Sequence, residues 1–186
     1  MTSPAPTKKD RLGAPAEHET NVAALCARAV ELGALAAKPV LPSDVVTGEW
    51  VRLKCQFGCD GYGQSLKCPP HSPPPATTRK ALDDYDTAIL LHLPKDWRQM
   101  QKIVATLEQE AFFMGYHKAF ALGAGPCSLC DTCDLTYPCK HHKEARPSME
   151  ACGIDVYRTA RNAGLPIEVA RDRDCATNYY GLLLVR

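Results

Sequence analysis

Thirteen residues constrain this chain more than any others: Cys127 to Cys139, C-S-L-C-D-T-C-D-L-T-Y-P-C. Three cysteines follow one another at C-x2-C spacing and a fourth comes after five more residues, within a segment rich in turn formers. Four soft ligands so close together point to a metal, and the spacing favours one class. Two-residue spacers let a chain curl around the corners of a cubane with backbone N–H groups facing the sulfurs. A single tetrahedral zinc ordinarily takes one such chelating turn plus a separate second pair. Disulfides fit less well, because pairing inside so tight a run closes strained rings.

Composition narrows the setting of this site. The chain has 186 residues, enough for one domain with a substantial core, and 45% hydrophobic and 23% charged residues are ordinary for a globular protein. A net charge of +1 without an extended Lys/Arg block argues against nucleic-acid binding. The first residues, M-T-S-P-A-P-T-K-K-D-R, lack the apolar stretch of a secretory signal, and no run of about eighteen apolar residues offers a membrane span. The expected location is cytoplasmic, where ten cysteines read as metal ligands and reduced core thiols.

Residues 1–19 are expected to form a disordered tail and residues 20–186 a single cysteine-rich metal-binding domain. Thr20 is expected to cap a helix carrying Val22, Leu25, Cys26, Ala29, Val30, Leu32 and Ala36 and ending near Lys38-Pro39, with Cys26 a core residue. Asp44 to Lys54 reads as one or two short strands leading to a second thiol group, Cys55, Cys59 and Cys68, among Gly58, Gly61 and Gly63. The spacing of that group does not match the C-x3-C-x2-C run of radical-type S-adenosylmethionine enzymes.

A short helix is expected over Ala76 to Tyr85 and a strand buried on both faces over Ala88 to Leu93. Asp96 then caps a helix with a stripe of Trp97, Met100, Val104, Leu107, Ala111 and Met114, stopped by Gly115, and Lys118 to Leu122 forms another strand. Strand, helix, strand predicts a crossover between parallel strands, with the cysteine run at a strand's C-terminal end. Ser148 is expected to cap a helix over Met149 to Ala163 that Gly164 stops. Ile167 to Ala170 and Tyr179 to Val185 read as two final strands. The fold class expected is an α/β or α+β sandwich: a mixed sheet with a parallel strand-helix-strand crossover and cysteine-rich metal-binding loops at one edge.

With Cys26 in the core and Cys175 unassigned, eight cysteines remain: Cys55, Cys59, Cys68, Cys127, Cys130, Cys133, Cys139 and Cys152. Eight thiolates would serve two [4Fe–4S] clusters, and two-cluster ferredoxins exchange ligands between motifs, so Cys139 can belong to either group. Cys152 falls in the first turn of a predicted helix, a place that suits a thiolate or a buried core residue equally. Lys54, Lys67, Lys140, His141, Lys143 and Arg146 lie near the cysteines in sequence, where cations would offset cluster charge. His141 and His142 would enter the ligand set only for zinc. Asp155, Tyr157, Arg158, Arg171 and Asp174 are candidates to line a small-molecule pocket. No G-x-S-x-G, G-x4-G-K-[ST] or H-E-x-x-H motif is present.

The stretches R-L-K-C-Q-F-G-C-D-G-Y-G-Q-S-L-K-C-P-P, G-A-G-P-C-S-L-C-D-T-C and P-C-K-H-H-K-E-A-R-P-S-M-E-A-C-G-I-D-V resemble an uncharacterised family of predicted metal-binding proteins, domain of unknown function 2284. The likeness covers most of residues 44–186. It implies metal ligation, as iron–sulfur, at Cys55, Cys59, Cys68, Cys127, Cys130, Cys133 and Cys139, and it tolerates other residues where this chain has Cys152. The function expected is ligation of one or two [4Fe–4S] clusters for electron transfer or in support of a partner redox enzyme, with a redox partner protein as the expected partner. Two alternatives are a zinc-stabilised binding module and an enzyme whose open-site cluster acts as a Lewis acid on a small substrate.

Overall fold

The six residues Ala88–Leu93 are all buried and apolar but for His92, so this strand, β2, has to lie inside the molecule with both faces covered. In the computed structural model, which describes residues 15–93, 97–172, 175 and 177–186, it pairs on one side with β1 (Ala36–Val40) and on the other with β4 (Tyr179–Leu184). β4 pairs in turn with β3 (Phe120–Leu122), giving the order β1-β2-β4-β3.

Alternation along the strands sends successive side chains to opposite faces and so builds two cores. Ile89, Leu91 and Leu93 face α1 (Pro15–Glu31) and α4 (Trp97–Phe113). α1 contributes Val22, Leu25 and Ala29, while α4 contributes Met100, Ile103, Val104, Leu107 and Ala111, both at helical steps of three and four. Ala88 and Leu90 face the opposite way with Tyr180, Leu182 and Leu184, onto Leu82 of α3 (Pro75–Leu82) and Val156 and Ala160 of α5 (Val156–Asn162). Met149, Cys152 and Ile154 complete that second core.

The α+β class and the cysteine-rich loop leaving an edge strand hold, but the mixed sheet does not. Both β2 and β3 run antiparallel to β4, so they point the same way while β4 occupies the place between them. The expected parallel pair is therefore split by a strand from much later in the chain, and every pairing in the sheet is antiparallel.

Several local expectations also change. α1 begins at Pro15, so residues 15–19, read as tail, are its opening; residues 1–14 lie outside the described residues. Thr20 does not cap it, and its hydroxyl donates back to the Ala16 carbonyl inside the helix. The helix ends at Glu31, and Ala36 to Val40 is an edge strand where Pro39 is tolerated. Asp44 to Lys54 forms no strand: Pro42–Asp44 is a 3-10 turn and Glu49–Gly58 is a helix, α2. Asp96 and Asp174 lie outside the described residues. Met114 is exposed beyond the end of α4, where Gly115 adopts φ 96°. Ile167 to Ala170 has no strand partner.

The expected helix from Met149 is broken. Ser148 does accept from the Ala151 N–H at 3.0 Å, but only the 3-10 turn Glu150–Cys152 follows before Gly153 turns left-handed at φ 75°. Asp155 then caps α5 by accepting the Arg158 N–H. No described helix is long and apolar enough to cross a membrane.

Candidate metal centre

Two pieces of chain bring the thiols together, and each is pinned by backbone bonds. The cysteine loop leaves β3 at Leu122 and returns to almost the same point: the Gly123 N–H donates to the Pro147 carbonyl and the Met149 N–H to the Gly123 carbonyl, at 2.8 and 3.0 Å. Everything from Ala124 to Arg146 thus hangs from one neck. Gln101 of α4 donates to the Glu144 carbonyl, and Arg146 pairs with Glu108 of the same helix. The second piece is α2, whose Gly48 N–H donates to the Gly153 carbonyl and whose Arg52 donates to Ser72 and to the Ala151 carbonyl.

Cys55 lies on α2 with its sulfur 3.9 Å from the Glu150 carbonyl, and Cys59 is the residue at the helix's C-terminal cap. The chain then coils through turns at Tyr62, Gln64 and Cys68, and Gly63 donates to the Pro69 carbonyl at 2.7 Å. Gly61 lies between two of the sulfurs: a Cβ at this position would stand 3.5 Å from the Cys59 sulfur and 3.7 Å from the Cys68 sulfur, both ordinary contact distances.

The sulfurs surround two adjoining cavities. One, of about 450 Å³, is lined by Cys55, Cys59 and Cys68. The other, of about 280 Å³, is lined by Cys127, Cys130, Cys133 and Cys139 together with Cys68, Lys67 and His141. Cys68, Gly61 and Pro126 belong to both walls. The two groups distant in sequence therefore meet, and Cys139 lies with the run that precedes it.

A backbone donor reaches one of these sulfurs, the Gly61 N–H donating to Cys59 at 3.4 Å, and the backbone at Cys127 and Leu129 lies near enough to Cys68 and Cys127 to favour their thiolates in part. Burial pushes the Cys55, Cys68 and Cys127 thiols up from their ordinary pKa, and the neighbouring sulfurs push in the same direction. Cys68 is raised by Cys59, Cys55 and Cys127, and Cys127 by Cys139, Cys130 and Cys133. Such mutual repulsion between half-buried thiolates is what a cation would relieve. Among the described residues no three His, Cys, Asp or Glu side chains close on a point sized for a single ion.

Cys152 is placed differently. It packs in the second core at 1% exposure, behind Cys55, and burial pushes its thiol up to about 12. Cys26 packs against the first core, its thiol raised to about 11 by burial. Cys175 accepts the Arg171 N–H and lines neither cavity. Among the cations named from sequence, Lys54 lines the first cavity and Lys67 and His141 the second, whereas Arg146 is engaged by Glu108. His142 instead bonds the Cys139 carbonyl. Of the proposed pocket residues, Tyr157 lines the larger cavity, while Asp155 is spent on its cap.

Sequence reasoning missed Trp50 and Glu150, which also line the larger cavity. Their segments were assigned to a strand and to a regular helix, and neither residue belongs to a cysteine motif. The hint available for Glu150 was its apolar flanks, Met149 and Ala151.

The family model described as Predicted metal-binding protein (DUF2284) matches residues 38–185. No curated protein and no solved structure matches the chain.

Proposed function

The chain belongs to that family of predicted metal-binding proteins, and from this premise we propose that its clustered thiols hold iron–sulfur centres and that it transfers single electrons to or from a partner redox protein. The observation that carries the reading is that Cys127, Cys130, Cys133 and Cys139 line one cavity, joined through Cys68 to the cavity that Cys55 and Cys59 line. A cubane takes its thiolates at separated corners and is tuned by N–H···S bonds.

In this reading the second group supplies a complete four-thiolate set, and Cys55, Cys59 and Cys68 supply three ligands to a further centre. Cys152 acts as core packing. A bound cluster would supply one-electron redox chemistry. The cysteines would hold it, and Lys54 and Lys67, which line the two cavities, would offset its negative charge. The free thiols suit a reducing cytoplasm.

Anaerobic purification followed by iron, zinc and sulfide analysis tests this. The expected sample is brown, with iron and acid-labile sulfide in equal amounts, and Cys133→Ser removes roughly half of both. A colourless sample carrying zinc instead would establish the structural-zinc alternative, with unfolding of the loops on chelation.

A further inference from the structure

The core stripe of α4 leaves another flank of the helix uncovered, and that flank forms one wall of a trough of about 870 Å³. Arg98, Lys102, Ala105, Gln109 and Phe112 follow one another along it at steps of three and four, about 21 Å of helix at about 1.5 Å per residue. The other wall belongs to the cysteine loop, through Ser128, Leu129 and Lys143. Two contacts fix the walls against each other, Gln101 to the Glu144 carbonyl and Arg146 to Glu108. A trough of this length suits a segment of chain better than a compact ligand.

Its lining is apolar at one end and cationic at the other. Phe112 and Phe113, 56% and 76% exposed, pack edge to face at the C-terminal end of α4 with ring centroids 6.2 Å apart. Adjacent exposed aromatics of this kind mark surfaces that partners cover. Arg98 and Lys102 lie near the start of the helix, and Lys143 stands on the loop. Lys102 and Lys143 are exposed and take part in no salt bridge among the described residues, whereas Arg146 and Glu108 neutralise each other. Glu144 is the one other carboxylate among the described lining residues, so cations are in local excess on a chain whose net charge is only +1. Leu129 lines both this trough and the cavity of Cys127, Cys130, Cys133 and Cys139. An occupant of the trough therefore touches a residue that also walls the thiol site.

We propose that the trough docks an acidic, amphipathic segment of a partner protein, its carboxylates meeting Lys102 and Lys143 and its apolar side chains lying against Phe112, Phe113 and Leu129. Complementary charge steers such a segment and sets its register, and the apolar contact holds it. That the partner exchanges electrons rests on the electron-transfer reading; the docking itself does not.

The probe is a dye-labelled helical peptide of about fifteen residues, matched to the trough's length, with glutamates on one face and leucines on the other. Fluorescence anisotropy compares it with its scrambled isomer, with a version carrying glutamine for glutamate and with a single-stranded DNA oligonucleotide, all on protein isolated without oxygen. The acidic amphipathic peptide is expected to bind about tenfold tighter than each of the others and to weaken as salt rises from about 0.05 to about 0.3 M. Lys102→Glu together with Lys143→Glu should cost about tenfold in affinity and leave metal content unchanged, since neither residue lines a thiol cavity. Phe113→Ala should weaken the peptide without altering its salt dependence. An acidic peptide that binds no tighter than its scrambled isomer or the oligonucleotide, or whose binding survives the double charge reversal, overturns the proposal. All three substituted positions are exposed, and the comparison of probes on the unmodified protein decides even if a variant fails to fold. Iron and sulfide in the same samples report separately on the electron-transfer reading: peptide binding to a zinc-loaded protein upholds the docking surface and removes its redox role.

Discussion

Arg146 shows how one side chain can hold a loop of clustered thiols. Both it and Glu108 are about 15% exposed, at 14% and 15%. The guanidinium also donates to the His142 and Ala145 carbonyls, while Glu108 accepts the Ala121 N–H of β3 at 2.7 Å. Helix, edge strand and loop neck therefore meet in one charge pair. Arg146→Met leaves the Glu108 carboxylate buried and unpaired, so it is expected to cost about 3 kcal/mol, read as a lowered denaturation midpoint. Cys152 gives the opposite kind of test. As a core residue, its change to Ala should cost about 1 kcal/mol through the small void it leaves, with metal content unchanged. Loss of metal in Cys152→Ala would return it to the ligand set.

Among the elements, the stretch Ser148 to Asp155 decides how the two thiol pieces dock. Its carbonyls are claimed by other segments: Ala151 by Ser72 and Arg52, Cys152 by Thr78, and Gly153 by Gly48. A continuous helix would have consumed those carbonyls internally, so the break at Gly153 makes the docking possible. A Cβ at Gly153 would also lie 2.2 Å from Pro75 Cγ. Gly153→Ala is expected to cost about 2 to 3 kcal/mol and to loosen α2 from the turn, measured by chemical denaturation and by faster amide exchange at Gly48.

Elements with strong periodicity were legible in the sequence. The β2 run and most of the α1 and α4 stripes carry apolar residues at the period of their own structure and lie in the core, the exceptions being Val30 and Met114, which are exposed, and Ala36, which opens β1. α2 was not legible. Trp50, Leu53 and Phe57 are exposed and only Val51 is buried, so its apolar residues mark no core face and resemble those of a strand. β1 is short, on the edge and interrupted by Pro39, so nothing local announces it. The grouping of seven thiols around two adjoining cavities was anticipated from their clustering into two sequence motifs. The larger cavity was not, since its walls come from helices, a turn and a strand entry that meet only in three dimensions.

At the scale of the whole molecule, α1 lies ahead of the family match and is fastened by His18. The imidazole is 2.9 Å from both the Tyr116 hydroxyl and Thr87 Oγ1, an arrangement with one donor and one acceptor that suits the neutral ring. Burial first, then Arg186, lowers its pKa below 6.5. The folded chain therefore resists a proton that the unfolded chain accepts, so this contribution is complete above about pH 6.5 and is lost as pH falls through the lowered value. The denaturation midpoint should fall between about pH 7 and about pH 5, and His18→Gln should flatten that fall.

The position of β4 between β2 and β3 carries a consequence for how the protein is made. A ribosome delivers Cys55 through Cys152 before it reaches Tyr179, so all eight sulfurs of the candidate set leave the exit tunnel ahead of the strand that joins the two sides of the sheet. Long-range pairing of this kind is slow to form. A chain still lacking β4 carries every candidate thiol without the strand that joins the two sides of the sheet, so the grouping of those thiols waits on the last strand.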